Sequence, residues 1–249
     1  MLVLPTFNES GTIAEVVERS LASTPDVDLL VVDDNSPDGT GEIADRIAAG
    51  ERRVRVLHRP GKGGLGPAYL AGFREGLAAG YDAMVEMDSD LSHDPADVAR
   101  LVVGAAGADV VIGSRYVPGG ATANWSRSRR ALSRAGTAYA RLLLGLPLTD
   151  ATSGFRCYRR AVLETIPLEE IHSEGYAFQI EMAWRAWILG FKIAEIPIVF
   201  VERREGASKM SRRIVAEALS KVARWSVEMK RPPKQPHPRS VAVSSRASD

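Results

Sequence analysis

The stretch Asp82-Ala-Met-Val-Glu-Met-Asp88-Ser-Asp90-Leu-Ser-His93 sets a short apolar run directly against two carboxylates one residue apart. In an extended chain, side chains two positions apart share a face. Asp88 and Asp90 therefore point the same way at the end of a strand, where they repel each other unless a cation sits between them. Oxygen-only ligation of this kind suits Mg²⁺ or Mn²⁺, which one or two carboxylates hold while water and substrate phosphates complete the shell. A plainer reading has Asp90 closing a turn and Asp94 capping a helix that starts at Pro95.

The other apolar runs decide between these readings. Residues 2–4, 28–32, 54–57, 83–87 and 110–113 read as strands. They alternate with segments of helical period: Ile13, Val16, Val17 and Leu21 after the first, then 41–49, 67–79 and 95–106. Strand and helix in alternation is the signature of an α/β fold, a Rossmann-like, mostly parallel sheet flanked by helices. In such sheets ligands bind beyond the carboxyl ends of the strands. Here those ends read Pro5-Thr-Phe7-Asn-Glu9, Asp33-Asp34-Asn-Ser36, Gly61-Lys62-Gly-Gly64, Asp88-Ser89-Asp90 and Ser114-Arg115. The gathering of acidic and glycine-rich ends favours a cation site over a turn.

One of Asp33 and Asp34 reads as an acceptor for a ribose or base, although an Asx turn explains the following Asn35 to Gly39. The Gly61 to Gly66 run lacks the spacing of a Walker loop or a dinucleotide fingerprint, and within it Lys62 is a candidate phosphate or base contact. His93 reads either as a ligand or, more commonly, as a loop residue.

Composition narrows the class. The 249 residues carry a formal net charge of +1, which gives no global attraction to nucleic acid. The single cysteine, Cys157, permits no internal disulfide and fits a reducing compartment. The N-terminus shows no leader pattern, and no run approaches the roughly 18 apolar residues of a spanning helix. Positive charge is instead local. Arg127, Arg129, Arg130, Arg134 and Arg141 fall in one segment without an acid, and a second basic region runs from 203 to 231.

Residues 211–229 form a candidate amphipathic helix with the stripe Ile214, Val215, Ala218, Leu219, Val222 and Trp225. That stripe suits a membrane surface or packing on the sheet equally. The segment with Trp125 before it and Leu142 to Leu144 after it invites the same two readings. A further helix is expected near 178–189 and a strand over 193–201. Residues 1–230 are expected to form one domain, followed by a disordered, Pro-, Ser- and Arg-rich tail at 231–249.

Taken together and in order, Pro5-Thr-Phe-Asn-Glu9, Val32-Asp-Asp-Asn-Ser-Pro-Asp-Gly-Thr40, Gly63-Gly-Leu-Gly66, Asp88-Ser-Asp-Leu-Ser-His93, Gly113-Ser-Arg-Tyr116, Thr152-Ser-Gly-Phe-Arg156, Gly175-Tyr-Ala-Phe-Gln179 and Gly206-Ala-Ser-Lys209 resemble the dolichol- or polyprenol-phosphate mannose synthases of glycosyltransferase family 2. The resemblance implies a GT-A fold and inverting transfer of mannose from GDP-mannose to a polyprenyl phosphate, with a divalent cation. It implies a peripheral location on the cytoplasmic face of a membrane, through a C-terminal amphipathic interface helix, and leaves open a membrane-anchoring partner protein. By position it implies that Pro5, Phe7, Glu9, Val32 and Asp34 line the guanosine site. Asp88, Ser89 and Asp90 then hold metal and sugar diphosphate, with Ser92 as a third metal candidate. Arg115, Arg203 and Lys209 surround the phosphates, and Arg129 and Ser133 meet the acceptor phosphate. Rival readings are a family 2 enzyme using another sugar nucleotide or acceptor, a phosphatase with Asp88 as nucleophile, and a basic lipid-binding protein with no catalysis.

Overall fold

The structure, a computed structural model, describes residues 1–202 and 212–228, with side chains in the last helix described for 216–227. The expected tail at 231–249 lies outside the described residues, as do Arg203 and Lys209.

Five strands and their crossover helices follow the sequence pattern closely. Strands β1 (Leu2–Thr6), β2 (Leu29–Asp33), β3 (Val54–His58), β4 (Ala83–Glu86) and β5 (Val110–Ser114) alternate with helices α1 (Ile13–Ser23), α2 (Thr40–Gly50), α3 (Leu65–Ala78) and α4 (Asp97–Gly104). There follow β6 (Ala121–Ala123), α5 (Arg127–Leu144), β7 (Arg156–Arg159), α6 (Arg160–Thr165), α7 (Gly175–Ile188), β8 (Ile193–Pro197), β9 (Val199–Val201) and α8 (Arg212–Glu228).

The main sheet has the order β3-β2-β1-β4-β7-β5-β8, with every pair parallel except those made by β7. Every residue of β1, β2 and β5 is buried, as strands covered on both faces must be. Leu2 and Leu4 face one core with α1, α2 and α4, while Val3 faces the other with α3 and α5 to α8. The strand order reverses at β1, which lies between β2 and β4, so the crevice for a ligand opens beyond the ends of β1 and β4.

Three points refine the sequence reading. The strand over 193–201 is two strands: β8 pairs with β5, and β9 leaves the sheet after Pro197 to pair with β6. Residues 156–159, of which only Arg156 fell within a motif and none was read as a strand, form β7, an antiparallel strand wedged between β4 and β5. Its Arg156 is fully buried and donates to the carbonyls of Ser153, Ala151 and Gln179 at 2.7 to 2.9 Å, so this charged side chain staples the motif to α7.

The third point concerns the tryptophans, for which sequence left two readings equally open. Trp225 of α8 is only 7% exposed and stacks on Trp184 of α7 at 5.6 Å, with Ala218 and Val222 buried beside it. That part of the stripe packs on the protein interior and leaves no interfacial tryptophan on α8. Trp125 is also buried, against Phe200.

Candidate active site

A cavity of about 370 Å³ opens at the strand ends and is lined by residues from the loops after β1, β2, β3 and β4 and from the start of α7. Among the residues singled out by sequence, Pro5, Phe7, Glu9, Asp34, Lys62, Asp88, Ser89, Asp90 and Arg129 line it.

One end suits a nucleoside. Lys62 Nζ sits 4.3 Å over the Phe7 ring, presenting a cation and an aromatic edge together. Asp34 accepts from Arg59 at 2.5 Å and from the Gly63 backbone N–H at 2.8 Å, which fixes its carboxylate at the rim. Asp33 turns away instead: Thr6 and Ser36 hydroxyls and the Ser36 N–H donate to it, so its carboxylate is taken up within the loop after β2. Val32 is fully buried, and its side chain joins the core between the sheet and α3.

At the centre, Ser89 and Thr12 lock the end of β4 to its neighbours. The Ser89 hydroxyl donates to the Pro5 carbonyl at 2.7 Å, and Thr12 donates to the Ser89 carbonyl at 2.8 Å. Tyr69 donates to Asp88 at 3.2 Å. Leu91 adopts φ +61°, a conformation uncommon for a non-glycine residue, and the turn it makes lets Asp90 accept from the Ser92 N–H at 3.0 Å. Both carboxylates thus face one cavity on braced backbone.

A hard divalent cation fits this donor set. Among the described residues no third His, Cys, Asp or Glu joins the two carboxylates. The remaining ligands would be phosphate oxygens and water, the usual shell of such an ion. The Ser92 hydroxyl is buried with no hydrogen-bond partner among the described residues. His93 is buried between the Phe155 and Phe200 rings at 4.7 and 4.9 Å. Burial lowers its pKa to about 4, only partly opposed by Asp90, so the ring is neutral at pH 7.

Beneath Asp88, Glu86 is fully buried, 3.7 Å from Arg156. Burial raises its pKa to about 8 despite that neighbour.

The basic side of the site divides in two. Arg115 is buried and bonded bidentately to Asp150 at 2.7 and 2.6 Å and to Thr152 at 2.8 Å, with Trp125, Tyr116 and Phe200 rings around it. Burial acts against both charges, but their attraction outweighs it, holding the Asp150 carboxyl below and the Arg115 guanidinium above their usual values. Arg129 is more available. It stacks 4.3 Å over Trp125 and pairs with Glu202 at 2.7 Å.

A second cavity of about 300 Å³ lies between α5, α7 and α8, lined mainly by apolar groups such as Leu132, Tyr139, Ile180 and Val222 and also by Ser133. Arg129, Thr152 and Tyr176 line both cavities. Sequence reading assigned no role to Tyr69, Thr152, Glu174, Tyr176 or Gln179, although the last four fall in or beside motifs it singled out. No spacing rule marks them, because the fold alone brings α7 to the strand ends.

The model of glycosyl transferase family 2 matches residues 1–166. The chain belongs to glycosyl transferase family 2. This family 2 transferase is 51% identical over 227 residues to an undecaprenyl-phosphate mannosyltransferase of Micrococcus luteus, covering 91% of this chain and 93% of that one. It is 50% identical over 229 residues to a polyprenol monophosphomannose synthase of Mycolicibacterium smegmatis, covering 91% and 86%. Among solved structures it is similar to glucosyl-3-phosphoglycerate synthase from Mycobacterium tuberculosis in complex with Mn²⁺, UDP and phosphoglyceric acid. That match has a TM-score of 0.65 and 26% identity, and covers 89% of this chain and 77% of that one.

Proposed function

We propose that this family 2 transferase moves mannose from GDP-mannose to a polyprenyl monophosphate, with inversion and with Mg²⁺ or Mn²⁺ held by Asp88 and Asp90. The observation that carries the proposal is the pair of adjoining cavities, one edged by the charged side chains of the strand ends and one mainly apolar, that share Arg129, Thr152 and Tyr176. A sugar nucleotide suits the first, the initial isoprene units of a lipid suit the second, and the acceptor phosphate belongs at their junction. Two relatives named for this chemistry, at about half identity, support the same reading. The Mn²⁺ and UDP in the solved relative support a divalent cation here.

The acceptor governs the mechanism. A phosphate monoester has its second pKa near 6 and arrives as an anion at neutral pH. Its oxygen attacks the anomeric carbon from the face opposite the diphosphate. The new C–O bond forms as the old one breaks, and the electron pair leaves with GDP. No proton is removed from the nucleophile, so no carboxylate serves as general base. The cation, when bound, neutralises charge growing on the departing diphosphate.

Arg129 draws the acceptor phosphate to the junction, exchanging Glu202 for it, and Ser133 donates alongside. Arg115, its charge paired with Asp150, serves the phosphate zone by fixing Thr152. Arg203 and Lys209 complete the basic surround in this proposal. We take residues 1–230 as the catalytic unit.

No helix among the described residues is long and apolar enough to cross a membrane. The proposed lipid contact is peripheral, on a cytoplasmic membrane face. It is made by the outer surface of α5, where Arg127, Arg134 and Arg141 are exposed beside Leu142 at 83% exposure. An anchoring partner protein is compatible with that surface.

Transfer of labelled mannose from GDP-mannose into solvent-extractable lipid, with and without Mn²⁺, tests the reading. Labelled lipid that requires the ion is the expected result; none from a folded, Mn²⁺-supplied chain overturns it. Because the solved relative binds UDP, UDP-glucose is the second donor to assay.

A further inference from the structure

Gln179 is 2% exposed, lines the cavity at the strand ends, and has neither amide atom in a hydrogen bond with any described residue. Buried amides are almost always satisfied, so an orphan facing a cavity marks a place where a ligand supplies the partner. We propose that Gln179 is a specificity-determining residue that hydrogen-bonds a hydroxyl of the donor sugar.

Its placement follows from α7. The Glu174 carbonyl accepts from the Ala177 and Phe178 N–H groups to start the helix, and Gly175, Tyr176 and Gln179 occupy one face of its first turn, so all three line the cavity. Gly154 borders the amide, and a Cβ there would stand 3.4 Å from Gln179 Nε2. Below lies the buried Glu86 carboxyl. Gln179 comes near enough to act on it in favour of its charged form, yet no atom of either group meets hydrogen-bond geometry.

The chemistry selects the sugar over the rest of the nucleotide. A neutral amide both donates and accepts, as a hydroxyl does, and contributes no charge to a diphosphate. The base is assigned to Phe7, Lys62 and Asp34 and the diphosphate to Asp88 and Asp90. Gln179 lies with Thr152 and Gly154, toward the junction where the acceptor phosphate must meet the anomeric carbon. The inference rests on the donor being a sugar nucleotide, as proposed above.

Isothermal titration of the full chain in MnCl₂ with GDP and with GDP-mannose tests it, using wild type, Gln179→Leu and Gln179→Asn. Gln179→Leu weakens GDP-mannose by about 10- to 100-fold, changes GDP affinity less than about twofold, and Gln179→Asn recovers part of the loss. Equal weakening of both ligands assigns Gln179 a structural role only and overturns the inference. Unchanged binding of both means water satisfies the amide and overturns it too. If Gln179→Leu does not fold, Gln179→Met gives the same comparison. Wild-type chain that binds neither ligand contradicts the donor assignment instead, and the ratio is then read with UDP and UDP-glucose; binding in neither series overturns both.

Discussion

Asp88 and Asp90 act in this account as holders of a leaving group, and their geometry makes that separable from folding. Ser89 and Thr12 brace their backbone without the carboxylates, and the Tyr69 hydroxyl that donates to Asp88 Oδ1 finds an acceptor in an asparagine carbonyl as well. Asp88→Asn and Asp90→Asn therefore lower kcat by about 100-fold or more, the scale of removing one preorganised electrostatic contact. Melting temperature in the absence of Mn²⁺ stays within a few degrees of wild type. Full metal-dependent turnover in both variants would remove these residues from the site.

A second residue-scale prediction concerns pH. Asp38 accepts from Thr40 N–H and hydroxyl and from Ser10 N–H, tying the loop after β2 to the loop after β1. Slight burial acts to raise its pKa, but these bonds win and lower it to about 2. A depressed carboxylate stabilises the fold above its unfolded pKa, near 3.8, and loses that contribution as pH falls through its folded value. Asp38 is exposed, so Asp38→Ala costs only about 1 kcal/mol at pH 7. Denaturant titrations find that difference shrinking between pH 4 and pH 2; a difference independent of pH contradicts the assignment.

The acidic strand ends were legible in sequence because charge is out of place at the end of a buried run. Gln179 was not, because nothing in a single sequence marks an amide that the fold leaves without a partner.

Among elements, helical period and buried runs located the parallel strands and crossover helices, since a strand covered on both faces must be apolar throughout. The same rule hid β7. Arg156 and Tyr158 lie on one of its faces and Cys157 on the other, and the carbonyls gathered around Arg156, with Glu86 beside it, make that charge tolerable.

Helix α8 shows a different limit. A stripe of Ala, Leu, Val and Trp is equally suited to lipid and to a protein core, and the choice depends on whether a neighbour presents a matching surface. Trp184 does. Trp225→Ala thus lowers the stability of the lipid-free chain by about 3 to 5 kcal/mol, as for other buried tryptophans, measured by denaturant unfolding. A change below about 0.5 kcal/mol would return Trp225 to the membrane surface. The exposed, basic face of α5 carries the lipid contact in this account, so vesicles with anionic lipid retain the Trp225→Ala chain and release a chain with Arg127, Arg134 and Arg141 replaced by Glu.

On the scale of the whole molecule, the crossovers deliver the loops after β1 to β4 to one crevice, and α5, α7 and α8 build an apolar channel against it. The crevice was foreseeable from the acidic and glycine-rich strand ends; the channel was not, because it arises from helices whose faces only the folded chain brings together. The central claim is that donor and acceptor occupy separate cavities meeting at Arg129. Steady-state kinetics of Arg129→Glu, varying GDP-mannose and polyprenyl phosphate separately with Mn²⁺ present, tests it most directly. The account predicts a KM for polyprenyl phosphate raised by about tenfold or more and a KM for GDP-mannose changed less than about twofold. A rise confined to GDP-mannose would contradict it.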